Sequence, residues 1–212
     1  DLAPVRHAGL DLAATWTRGA ASVAAQAYVS RIADYITVYD QARVQMVPGV
    51  MNTMARSYAN VDASLRGFEL SASAPVRPGL ALSGDLSYVR GSQDGDAARG
   101  IAAAPLAEMP ALRGRARLRW DAARWFAQAE QVVTGDQNRV DASLGEAPTP
   151  GAALTNLSAG LRWHGVSLAA GVTNLFDRYV VDALSYQRDP FRTGVRVPEP
   201  GRQWFANVSW RY

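Results

Sequence analysis

The chain has 212 residues, 48% of them hydrophobic and 19% charged, with a formal net charge of +3. It has no cysteine, which excludes disulfides and thiolate metal sites and leaves the redox compartment open. Arginines are interspersed with acidic residues rather than gathered in a tail or cluster, which argues against nucleic acid as a partner, and no run approaches the roughly 18 consecutive apolar residues of a membrane helix. The opening DLAPVRHAGL lacks a charged region followed by an apolar one, so the chain is expected to begin inside a longer protein.

Taken in order, the chain repeats alternating segments of about ten residues, the length a tilted strand needs to cross a bilayer. The first covers 8–17, with Leu10, Leu12, Ala14 and Trp16 on one side. The second covers 20–39, where Val23, Ala25, Ala27 and Val29 oppose Ser22, Gln26 and Ser30. The third, 60–74, changes phase: Val61, Ala63 and Leu65 are odd, while Phe68, Leu70, Ala72 and Ala74 are even. Either a bulge near Gly67 or a strand rising above the lipid accounts for the change. The fourth, 79–90, carries Leu80, Leu82, Leu86 and Tyr88 opposite Ser83, Asp85 and Ser87.

The fifth, 110–120, contains LRGRARLRW, in which Arg113, Arg115, Arg117 and Arg119 fall at every second position. On a helix these would scatter; on a strand they share one face, opposite Leu112, Leu118 and Trp120. The remaining segments are 124–134, 154–163, 166–176 and 202–212.

Short connections near 17–19, 75–79, 121–123 and 164–165 alternate with long ones near 40–59, 91–109, 135–153 and 177–201. Outer-membrane barrels have this order, with short periplasmic turns and long outer loops. Trp16, Trp120, Trp125, Trp163, Trp204, Trp210, Tyr88 and Tyr212 gather at strand ends on the apolar side, as interfacial girdles do. The expected fold is all-β: a transmembrane antiparallel β-barrel with the Leu/Trp sides on outer-membrane lipid and the arginines on a wet or filled lumen. Nine strands leave the first and last parallel, and a closed antiparallel barrel needs an even number. Partner strands are therefore expected upstream or in another chain.

GVTNLFDRYV at 171–180 and EPGRQWFANVSWRY at 199–212 resemble the C-terminal end of a TonB-dependent outer-membrane receptor. Residues 58–91 resemble an internal hairpin of that family, with Gly67 and Glu69 in its G-x-E spacing. The resemblance implies a 22-stranded barrel in the outer membrane of a Gram-negative cell, of which this chain supplies the last nine strands. It also implies an N-terminal plug and a TonB box lying outside this chain, energised by TonB. VQMVPGVMNTMARSYANVDA at 44–63 is most similar to the copper receptor branch, and Met46, Met51 and Met54 offer thioethers, soft ligands suited to Cu(I), in an outer loop. Methionines also fill apolar gaps, so a packing role stays open. An iron-siderophore, haem or cobalamin cargo is the alternative. An enzyme is not expected: a triad would have to be built from His7 or His164, both near strand ends. A passive pore is the third reading. Asp94, Asp96 and Glu108 lack the spacing of a calcium loop. The arginine row is expected to pair with plug carboxylates or to draw anionic metal chelates inward. No resident cofactor is expected, copper being cargo.

Overall fold

The computed structural model describes residues 2–42, 54–189 and 192–210, with backbone alone at 186–195. Its strands are β1 (Arg6–Arg18), β2 (Ala21–Ala42), β3 (Met54–Arg77), β4 (Leu80–Gln93), β5 (Ala104–Pro105), β6 (Arg113–Asp121), β7 (Trp125–Thr134), β8 (Ala152–Trp163), β9 (Val166–Thr173), β10 (Val181–Asp189), β11 (Arg192–Pro198) and β12 (Gln203–Trp210). One antiparallel sheet runs β1-β2-β3-β4-β6-β7-β8-β9-β12, with β5 attached to β4. Strands β1 and β12 stand at its two ends and, among the described residues, do not pair with each other. The molecule is thus an all-β sector of a barrel.

Alternation fixes which face each residue takes, and the register carries that choice from strand to strand. Leu82 pairs with Leu118, and Leu118 with Ala129. The apolar rows are therefore continuous, and the arginine row lies on the opposite, polar face. The short connections are tight: His164 and Gly165, at φ 47° and 81°, form the primed two-residue turn that matches strand twist. On the polar face, aromatic rings lie over glycines of the neighbouring strand. A Cβ at Gly67 would fall 2.5 Å from the Tyr28 hydroxyl, and one at Gly171 would fall 2.6 Å from the Phe205 ring. Only a bare backbone leaves room for those rings.

Burial is inverted relative to a water-soluble sheet. Leu12 is 66% exposed, Trp163 67% and Val208 72%, whereas the Glu130 side chain on the polar face is 15% exposed. A continuous apolar face of this size needs a nonaqueous neighbour. No helix among the described residues is long and apolar enough to cross a membrane, so any crossing is made by strands.

A buried apolar cluster explains the phase change in β3. Pairing runs unbroken through Gly67, opposite Tyr28, so no bulge lies there. The register shift falls between Ile32 and Tyr35 on β2, where Asp34 has φ 59°. Ala59, Val61 and Ala63 keep the face of Gly67 but are buried, Ala59 and Val61 packing with Ile101, Tyr35 and Tyr39. The loop after β4 thus covers the upper polar face and turns it apolar locally. Cover by that loop, rather than a bulge in β3, accounts for the change of phase.

The long connections hold more order than the sequence predicts. Met54 is the first residue of β3 rather than a loop residue, β9 ends at Thr173 rather than 176, and the last long connection contains the β10–β11 hairpin.

Candidate functional site

The arginine row builds a wall of ion pairs, two with partners set by the register and one within its own strand. Arg115 opposes Asp85, with Nε 3.3 Å from Oδ1. Arg117 opposes Glu130 and donates to its Oε2 from Nε at 3.2 Å and Nη2 at 2.7 Å, while Asn156 donates to Oε1 at 2.9 Å. Arg119 makes a bidentate pair with Asp121 at 2.6 and 2.9 Å and lies 4.3 Å from the Phe126 ring centroid. The expected plug partners are therefore supplemented by carboxylates of the wall itself, which solvate the guanidiniums without water. Arg113 differs: among the described residues it has no ion-pair partner, and it lines a hollow of about 210 Å³ with Thr134, Thr149, Asp182 and Glu199.

Above this wall the long loops after β4, β7 and β9 are tied into one canopy. Asp96 caps the 3₁₀ turn Ala97–Arg99, accepting from the Ala98 and Arg99 amides, and pairs with the Arg99 guanidinium. That guanidinium holds the Asp96 carboxyl below the usual carboxylate range. Glu146 bridges two loops, accepting from the Glu108 amide at 2.6 Å and the Asp141 amide at 2.8 Å. Gln137 Nε2 donates to the Met109 carbonyl at 2.6 Å, and Arg196 Nη2 donates to the Ala147 carbonyl at 2.7 Å, adding the β10–β11 hairpin to the set.

The NLFD and PGR stretches clasp each other. Asn174, 4% exposed and at φ 50°, accepts from the Arg178 amide and donates to the Arg178 carbonyl, each at 2.8 Å. Asp177, also at positive φ, accepts from the Arg202 amide at 2.7 Å. A Cβ at Gly201 would lie 2.7 Å from Asp177 Oδ1, so glycine lets the two stretches meet without displacing that carboxylate.

Of the three methionines singled out above, Met54 opens β3 at 41% exposure, while Met46 and Met51 lie outside the described residues. No group of three or more His, Cys, Asp or Glu that would hold a metal forms among the described residues. His7 opposes Ile32 near the loop end of β1 and His164 sits in a short turn, so the two occupy opposite ends of the sheet. The wall carboxylates Asp85, Asp121 and Glu130 went unassigned at the sequence level. For Asp85 and Glu130 the signal was polar phase on adjacent segments, usable only with the register in hand; for Asp121 it was the same period of two, one step past Arg119.

Comparison with known proteins supplies the rest. Residues 1–175 match the family model described as TonB dependent receptor-like, beta-barrel. No curated protein matches the sequence. Among solved structures, the copper transporter OprC is similar at 24% identity over 99% of this chain and 32% of that one, with a TM-score of 0.79. The FrpB iron transporter from Neisseria meningitidis is similar at 14% identity over 96% and 31%, TM-score 0.71. A ferric enterobactin receptor (PfeA) mutant from Pseudomonas aeruginosa is similar at 18% over 96% and 31%, TM-score 0.64. The chain spans about a third of the length of these proteins.

Proposed function

Because the chain belongs to the TonB-dependent receptor-like β-barrel family, we propose that it is part of an outer-membrane uptake receptor of a Gram-negative cell, with copper as its cargo. Family membership carries the receptor reading. Residues 44–63 carry the copper reading, through the thioethers of Met46, Met51 and Met54 on the loop end of the β2–β3 pair. Thioethers favour Cu(I) over harder cations, and a loop that meets solvent first is where a scarce ion is captured. The copper transporter named among the similar structures supports the same cargo.

In this reading the barrel performs no covalent chemistry. The apolar face sits in lipid, the loop canopy receives the cargo, and the ion-paired wall lines the path that opens when TonB, through the plug, moves the obstruction. The wall carboxylates hold Arg115, Arg117 and Arg119 in place, so the path stays polar without a free positive column.

One observation bears on the iron-siderophore, haem or cobalamin alternative: Arg113, with no ion-pair partner among the described residues, would offer its guanidinium to an anionic chelate. Calorimetric Cu(I) binding by the full-length receptor, wild type and M46L/M51L/M54L, separates the two. Copper predicts at least about a tenfold loss in the variant, with copper uptake falling in parallel. Unchanged copper binding together with binding of a ferric chelate that is lost in Arg113→Ser would replace copper with the chelate.

A further inference from the structure

A second set of arginines lies on the apolar face, where lipid would forbid it anywhere but at an edge. Arg6, Arg31, Arg66 and Arg90 belong to four successive strands, β1 to β4. The register puts them on the side of the lipid-facing residues. Leu10 pairs with Val29, Val29 with Arg66, and Arg66 with Arg90; in the next row Ala8 pairs with Arg31 and Arg31 with Ser64.

Their heights agree as well. Arg6 lies ten residues from Trp16, Arg66 ten from Val76 and Arg90 ten from Leu80, which is the partner of Trp120. Ten residues at ~3.3 Å, tilted by about 40°, climb roughly 25 Å, the height of the apolar band of such barrels. The belt therefore sits at the outer edge of the hydrocarbon, immediately above the ring pair Phe68 and Tyr88, whose centroids are 6.0 Å apart.

Charge within the belt is unbalanced. Arg6 is paired with Asp34 at 2.8 Å and Arg31 with Asp62 at 3.3 Å. Arg66 and Arg90 stand directly opposite each other, and neither has a carboxylate partner among the described residues. Two like charges opposed across a ladder repel unless an anion lies between them. The pair faces a hollow of about 620 Å³ lined also by Leu10, Val29, Arg31 and Ser64, with the Ser64 and Ser92 hydroxyls 3.1 Å apart at its upper rim. The hollow thus has an aliphatic edge in Leu10 and Val29, two guanidinium forks in the middle and hydroxyls above, with the Phe68–Tyr88 ring pair next along the same face.

We infer that Arg66 and Arg90, flanked by Arg31, bind the phosphate of an outer-leaflet lipid headgroup. The forks donate bidentately to phosphate oxygens, the hydroxyls meet the sugar or glycerol portion, and the acyl chains descend past Phe68 and Tyr88. The inference rests on the apolar face lying in lipid.

The test uses the full-length receptor in nanodiscs, titrated with diphosphorylated lipid A, its dephosphorylated form and inorganic phosphate, with native mass spectrometry reading bound lipid. Insertion into the nanodisc tests the membrane reading separately; failure to insert overturns that reading and the site with it. In inserted receptor, R66S/R90S is expected to retain diphosphorylated lipid A at least about tenfold less well, whereas R66K/R90K loses less and Arg18→Ser, on the same face at the short-turn end, loses nothing. Equal retention by R66S/R90S, equal binding of the dephosphorylated lipid, or saturation by inorganic phosphate alone would overturn the site.

Discussion

The two arginine sets differ in direction, face and partner. Arg113, Arg115, Arg117 and Arg119 climb one strand on the polar face, and three of them meet a carboxylate. Arg6, Arg31, Arg66 and Arg90 cross four strands at one height on the apolar face, and two of them meet none among the described residues. A column along a strand samples every depth of the bilayer and is tolerable only where water or protein solvates it. A belt at a single depth needs only an interface. The same side chain thus reports the medium on each side of the sheet through the geometry of its repetition.

The largest effect that could break this contrast is a charge moved to the wrong face. Leu86 lies six residues above Leu80 on the apolar face, near mid-membrane. Leu86→Arg should cost about 2–4 kcal/mol in reversible unfolding from bilayers, while Ser87→Arg next to it should cost under about 1 kcal/mol. Equal costs would end the assignment of faces. Next is the best-satisfied member of the column. Glu130→Ala strands Arg117 and Asn156 together and should cost about 1–3 kcal/mol; adding Arg117→Met should recover part of that loss in the same unfolding measurement.

The smallest effect concerns a third arginine setting, in water. The Asp96 carboxyl is lowered by its bond to Arg99, so its contribution is complete above the ordinary carboxylate range and is lost only as pH falls through the lower folded value. Hydrogen exchange at the Ala98 and Arg99 amides should therefore stay protected at pH values where an unpaired aspartate has already taken up a proton. In Arg99→Ala that protection should disappear at higher pH.

Much of this was written in the residues as a line. LRGRARLRW states its two faces outright, and HG at 164–165 states its turn. Period-two alternation survives wherever lipid touches one side of a strand. It fails at Ala59 and Val61 because Ile101, from the loop after β4, covers them, a contact between segments far apart in sequence. The wall carboxylates Asp85 and Glu130 and the outward belt were hidden for a related reason. Asp85 meets Arg115, and Arg66 meets Arg90, only once the register is known, and register is a property of pairs of strands. The β10–β11 hairpin, with its interrupted register, lies in a segment without clean alternation. Met46 and Met51 stay outside the described residues, so the copper reading rests on their chemistry and their place in the chain.

The clasp of Asn174 and Asp177 onto Arg178, Gly201 and Arg202 has a bearing on how such proteins diversify. It pins both ends of the excursion between β9 and β12, so the final strand docks in the same place whatever the excursion contains. Doubling the length of a tethered loop adds only about 0.6 kcal/mol of closure entropy. An engineer wishing to display a foreign peptide, or a lineage escaping an antibody, could rewrite residues 182–197 while leaving the seam beneath them intact.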